Sequence, residues 1–90
     1  MDPLQLMVQL TMRNEKDIDE HLMTLFSLVL SIKPTKVIEL GVRTARSTLA
    51  FLAASQHVKC SITSVDINQV TPDFGFPDEW KNNWQFIKKD

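Results

Sequence analysis

Apolar side chains recur at helical spacing between residues 18 and 32, the clearest pattern in the chain. Asn14 is placed to cap this helix, and Pro34 stops it because proline lacks the N–H that a continuing helix needs. A shorter helix is expected after Asp2-Pro3, a favourable N-cap and first helical residue. The periodic positions of the longer helix are Ile18, Leu22, Leu25, Phe26, Val29 and Ile32.

Short apolar runs after residue 35 alternate with helical patterns. Strands are expected at 36–40, 61–65 and 84–87, a helix at 44–55, and a loop with a short helix from Pro77 before the last strand. Strands that alternate with helices predict βαβ units and a mainly parallel sheet. Right-handed crossovers then place the three strands in the order 3-2-1.

The expected fold class is therefore α/β. It is a Rossmann-like half-domain of three parallel strands with flanking helices, formed by residues 36–90. The N-terminal helical segment, residues 1–35, precedes it.

Composition and charge narrow the possible partners. Ninety residues form one domain at most, and a net charge of −1 provides no basic field for nucleic acid or an anionic membrane. The single cysteine, Cys60, cannot form an internal disulfide, which fits a cytoplasmic location. The N-terminus lacks the pattern of a signal peptide, and the most apolar stretch, 22–32, is too short to span a bilayer.

Candidate site residues fall where the first two strands end. Glu39 lies near the end of the first strand, Gly41 follows it, and Asp66 ends the second strand. In an open parallel sheet, ligands bind beyond the carboxyl ends of the strands. Gly41 allows a sharp turn and a close approach. Ser47 and Thr48 lie in the first turns of the next helix, where free N–H groups attract a carboxylate or phosphate.

The loop after the first strand argues against a dinucleotide. A pyrophosphate site needs G-x-G-x-x-G, but only Gly41 is present, and Arg43 stands where the second glycine belongs. Glu39 would also repel a pyrophosphate through like charge, whereas it would attract an ammonium group. Arg43 and Arg46 are expected to add positive charge near the site.

The stretches VIELGVRTARSTLAFLA and ITSVDIN resemble motif I and the second-strand acid of class I S-adenosylmethionine-dependent methyltransferases. The likeness is greatest to small-molecule O-methyltransferases, whose motif runs E-L-G-x-x-x-G-x-S. The resemblance implies that Glu39 and Gly41 line the methionine end of S-adenosylmethionine and that Ser47 holds its carboxylate. It also implies that Asp66 binds the ribose hydroxyls and that Asp90, after FIKK, approaches the adenine amino group.

The chain also departs from that family. Ala45 replaces the second motif glycine, and the strand that usually carries the catalytic or metal-binding acid has no counterpart. The resemblance thus implies the N-terminal half of an enzyme, with no catalytic or metal-binding residues of its own and no activity alone. Its expected partners are a small-molecule cofactor and either a second copy of the chain or a missing C-terminal half.

Each candidate also has an ordinary structural explanation. Glu39 could be a solvated strand-end acid, Ser47 could bond to backbone, and Asp90 stands at a chain end. The acidic residues around Asp17 and Asp19 are interpreted as a solvated helix start, and the remaining polar or aromatic candidates as surface or packing residues. Those remaining candidates are His21 and His57 at the surface, Cys60 as a buried small hydrophobe, and Trp80 and Trp84 as packing residues. One of the tryptophans could instead cover the adenine.

The alternative function is a non-catalytic oligomerising α/β module without a cofactor. The first strand would leave one edge unpaired, which invites pairing with another chain. Helix faces that lack neighbours are expected to be partly exposed and to add to the interface, namely those of Leu25, Val29, Leu49 and Leu52.

Overall fold

The computed structural model describes residues 2–13, 17–43, 45–70 and 77–89. These residues form three α-helices, three strands and two 3₁₀ helices. In chain order they are α1 (Pro3–Arg13), a first 3₁₀ helix (Asp17–His21), α2 (Leu22–Ile32), β1 (Lys36–Leu40), α3 (Arg46–Ala54), β2 (Ser61–Asp66), a second 3₁₀ helix (Asp78–Asn83) and β3 (Trp84–Lys88).

The three strands form one parallel sheet in which β2 lies between β1 and β3. Glu39 of β1 is opposite Ser64 of β2, and Ser64 is opposite Phe86 of β3. The expected mixed α/β class, with a three-stranded parallel sheet and flanking helices, is confirmed. All three strands therefore present their carboxyl ends at the same edge of the sheet.

One main core joins all three helices to the sheet. Its fully buried side chains include Met7 of α1, Leu22 of α2, Leu49 of α3 and Ile62 of β2. The N-terminal helices and the sheet consequently share a single apolar interior. Burying this interior is the main source of stability for so short a chain.

The two sheet faces differ in exposure because alternate residues of a strand point to opposite sides. Val37 packs against the main core, whereas Ile38 and Leu40 are 69% and 79% exposed. The expectation that helix faces would be left partly exposed is wrong for Val29, Leu49 and Leu52, which are buried. Leu25 is partly exposed, as expected, and packs against the same core. Exposed apolar side chains therefore occur both on the sheet and on the outer faces of the helices, where Met12 and Ile32 are 80% and 69% exposed.

Local backbone geometry sets where the helices begin and end. Asp2 Oδ1 accepts the Leu4 N–H at 2.8 Å, which confirms the N-cap of α1. At the end of α2, Lys33 has φ 54° and its N–H donates to the Val29 carbonyl at 2.9 Å, one residue before Pro34. α3 begins only at Arg46, later than expected, because Ala45 has φ 67° and is not helical.

The long second helix is shorter than its apolar periodicity predicts. Regular α-helix starts at Leu22, and the five residues Asp17–His21 before it form a 3₁₀ helix. The predicted cap, Asn14, lies outside the described residues. Within the described ranges, no helix combines the length and the apolar character that crossing a membrane requires.

Candidate functional site

An open cleft of about 590 Å³ lies at the carboxyl ends of the strands. It is formed by the end of β1, the loop that follows β1, the end of β2 and the residue after β3. Its lining residues are Leu40, Gly41, Arg43, Val65, Asp66, Ile67, Asn68, Gln69 and Lys89. The cleft therefore lies where ligands bind in parallel α/β sheets.

Gly41 turns the chain out of β1 and into the cleft. Its φ is 80°, in the left-handed region that a side chain disfavours, and its N–H donates to the Val65 carbonyl at 2.9 Å. A Cβ at this position would meet nothing within 4 Å, so the backbone angle is what requires glycine. Arg43, two residues later, also has a positive φ of 56°.

The Asp66 carboxylate connects the end of β2 to that loop. Its Oδ2 accepts the N–H groups of Val42 at 2.7 Å and Arg43 at 3.3 Å, and its Oδ1 accepts the Asn68 N–H at 3.0 Å. The backbone N–H groups of Asn68, Val42 and Arg43 hold the pKa of Asp66 below its usual range. Asp66 is thus an ionised acceptor at the cleft near neutral pH.

Glu39 points away from the cleft and into the layer between the sheet and α3. It is 8% exposed, and its Oε1 accepts the hydroxyls of Thr48 and of Ser64, the latter at 2.9 Å. Ser47 donates its hydroxyl to Glu39 Oε2. Hydroxyl donors therefore satisfy a charge that would be costly to bury alone. The interpretation of Glu39 as a solvated strand-end acid is wrong, because α3 and β2 cover it.

The same network reaches the third strand. The Trp84 indole N–H donates to the Ser64 hydroxyl at 2.9 Å, and this hydroxyl in turn donates to Glu39. The sequence indicates Thr48 as a possible anion contact, whereas it does not single out Ser64. The signal that points to Ser64 is its position opposite Glu39 in the sheet register. Thr48 contacts the buried carboxylate of Glu39, an anion of the chain itself.

Asp19 and Arg46 form a second buried polar contact. Arg46 Nη1 lies 3.2 Å from Asp19 Oδ2, and the two side chains are 5% and 0% exposed. The interpretation of the acidic segment as a solvated helix start is wrong for Asp19. Arg46 was also expected to add positive charge near the site. Its side chain instead extends from the start of α3 toward the N-terminal segment, where Asp19 balances its charge.

The structure brings Gly41 and Asp66 together at the cleft, and it brings Glu39 and Ser47 into contact with each other. Glu39 and Ser47 are not among the cleft-lining residues. Asp90 lies outside the described residues.

The other candidates are surface or packing residues, as expected. The histidines at 21 and 57 are exposed, whereas Trp80 and Cys60 are buried, and burial raises the pKa of the Cys60 thiol. No cluster of three potential metal ligands occurs among the described residues.

No protein-family model matches the chain, and a search of the curated proteins finds no match.

Proposed function

We propose that the cleft binds S-adenosylmethionine, and that the chain provides the cofactor-binding half of a class I methyltransferase of the small-molecule O-methyltransferase type. One observation carries the proposal. Gly41 and Asp66 line a single cleft at the carboxyl ends of two adjacent parallel strands. The proposal includes the fold: a Rossmann-like half with strand order 3-2-1, in which ligands occupy this edge of the sheet.

The cleft offers groups suited to several parts of the cofactor. Asp66 Oδ1 accepts one hydrogen bond from Asn68 and can accept another from a ribose hydroxyl. Gly41 lets a ligand approach the backbone closely. Arg43 and Lys89 line the cleft and offer positive charge to the carboxylate of the methionine portion.

Glu39 and Ser47 would act from beneath the cleft. Two hydroxyls fill the acceptor sites of Glu39 Oε1. Among the described residues Oε2 accepts Ser47 alone, which leaves one site for an ammonium group. Ser47 would have to release Glu39 before its hydroxyl could donate to the cofactor carboxylate. Because α3 and β2 enclose Glu39, the proposal requires this layer to open before Glu39 can meet the ammonium group and Ser47 can change partner.

We expect no methyl transfer by the chain alone. The cofactor supplies an activated methyl group, but transfer requires an acceptor held in line with the sulfonium at near-attack distance. The family's acceptor-binding and catalytic residues belong to strands that follow the third. Release of S-adenosylhomocysteine by the pure chain in the presence of a catechol would contradict this expectation.

Calorimetric titration with S-adenosylmethionine and S-adenosylhomocysteine tests the binding proposal. We expect weak binding that Asp66→Ala abolishes and Asp78→Ala preserves. Asp78 is the matched control because its carboxylate is exposed and lies in the second 3₁₀ helix, outside the cleft. The proposal fails if neither ligand changes the amide chemical shifts of Gly41 and Asp66, or if both variants bind equally.

The second candidate function is a non-catalytic module that oligomerises. It rests on the exposed apolar side chains of Ile38 and Leu40 and on the position of β1 at the edge of the sheet. An unpaired strand edge beside exposed apolar residues favours association. Self-association without any response to S-adenosylmethionine would favour this candidate over the first.

A further inference from the structure

The Asp66 side chain already accepts hydrogen bonds from the backbone N–H groups of the cleft loop, residues Gly41–Arg43. Its Oδ2 accepts two successive N–H groups, from Val42 and Arg43, which lie 24 and 23 residues earlier in the chain. Successive N–H groups that converge on one oxygen form an anion-binding concavity. The chain fills this concavity with its own carboxylate.

The loop conformation depends on being held. Gly41 and Arg43 both have positive φ, 80° and 56°, and only glycine adopts such angles without strain. A strained non-glycine residue persists only where the surroundings fix it. The Arg43 N–H bond to Asp66, together with the neighbouring Val42 bond, supplies a restraint at this point.

The carboxylate has little capacity left for a ligand. Two carboxylate oxygens provide about four acceptor sites, and three of the sites on Asp66 are used by Val42, Arg43 and Asn68. A ribose 2′,3′-diol that donates both hydroxyls needs two sites. One of the present bonds must therefore be exchanged, and the Arg43 bond is the longest, at 3.3 Å.

We infer that the hydrogen bonds from Val42 and Arg43 to Asp66, which we call the latch, hold the Gly41–Arg43 loop in its present conformation in the free protein. We further infer that a ribose diol releases this loop by displacing the Arg43 N–H from Asp66. The latch is a property of the free protein and does not depend on the proposed function. The displacement step rests on the proposed function, because it requires a ribose in the cleft.

Amide hydrogen exchange of the free protein tests the latch. We expect Asp66→Ala to accelerate exchange at Val42 and Arg43 by about tenfold. Asp66→Asn should have a smaller effect, because its one side-chain oxygen can still accept an N–H group. The N–H groups of Gly41 and Lys89 are internal controls, because they donate to the carbonyls of Val65 and Asp66 rather than to the side chain. Their unchanged exchange also shows that the variants are folded.

Asp78→Asn is the control variant and should leave all four exchange rates unchanged. Unchanged rates at Val42 and Arg43 in both Asp66 variants would overturn the latch. Equal acceleration at all four amides would also overturn it, since that result would show general unfolding rather than the opening of one loop.

Adenosine and 2′-deoxyadenosine test the displacement step by amide chemical shifts. Adenosine should shift the Arg43 amide more than the Val42 amide, and 2′-deoxyadenosine, which lacks one hydroxyl, should shift neither. Equal responses to the two nucleosides would overturn the displacement. Faster exchange in the Asp66 variants, with no response to adenosine or to S-adenosylmethionine, would support the latch while refuting both the displacement and the proposed function.

Discussion

The guanidinium of Arg46, the first residue of α3, lies 3.2 Å from the carboxylate of Asp19, and both side chains are buried. The pair joins the N-terminal segment to the helix that follows the cleft loop. Both residues also make interactions beyond this pair. A buried pair of this kind costs desolvation, but loss of one partner leaves a buried charge, which costs more.

We therefore expect Asp19→Leu and Arg46→Met each to lower the free energy of unfolding by about 3 to 5 kcal/mol. The double variant should lose less than the sum, since it removes both members of the pair together. Urea denaturation of the four proteins measures the coupling. Additive losses would show that the two side chains do not stabilise each other.

A second prediction concerns the carboxylate of Glu39. Glu39→Gln retains the shape but replaces one oxygen with an amide nitrogen, which cannot accept the Ser47 hydroxyl. We expect a loss of about 1 to 2 kcal/mol in unfolding free energy. Glu79→Gln is the exposed control and should stay within about 0.5 kcal/mol of the parent. Equal stability of both variants would argue against the hydroxyl network.

Lys33 offers a stabilising substitution. It has φ 54° at the end of α2, a left-handed position that helices usually fill with glycine. Lys33→Gly should raise the free energy of unfolding by up to about 1 kcal/mol, because it removes backbone strain. Lys59→Gly, at an exposed position without a positive φ, should not stabilise. Chemical denaturation of both variants compares them, and a destabilised Lys33→Gly would contradict the assignment.

The lowered pKa of Asp66 predicts that the protein loses part of its free energy of unfolding at acidic pH. Its pKa is lowered in the folded protein, so its contribution to stability is full above the ordinary carboxyl pKa. The contribution disappears as pH falls through the lower native pKa. The difference in urea midpoint between the parent and Asp66→Asn should therefore be largest near about pH 7 and shrink toward about pH 3. A difference in urea midpoint that is the same at every pH would mean that the charge of the Asp66 carboxylate does not contribute to stability.

The exposed face of β1 predicts self-association. Ile38 and Ile32 are equally exposed, at 69%, but only Ile38 lies on the sheet. Sedimentation at micromolar concentration should show a two-fold dimer that Ile38→Lys converts to monomer and Ile32→Lys leaves intact. A monomeric parent protein would refute the homo-oligomer. Val37→Lys is a less selective variant, because Val37 packs against the core and the fold should fail with it.

Several features of the fold were predictable because they depend on neighbouring residues. The helices before β1 follow from periodic apolar side chains and from Asp2 and Pro34 at their limits. The strands follow from short apolar runs bounded by turns. The juxtaposition of Gly41 and Asp66 was also predictable, since adjacent parallel strands end at one edge of the sheet.

The sequence by itself determined which segments are helices and strands, and that a glycine and an acid meet at one sheet edge. Only the tertiary structure decided the environment of each charge. Asp19 is buried because Arg46, 27 residues later, reaches it, and Glu39 is enclosed because hydroxyls from α3 and β2 converge on it. Burial of a charge depends on partners that are distant in the chain, and local patterns carry no information about which distant groups will meet.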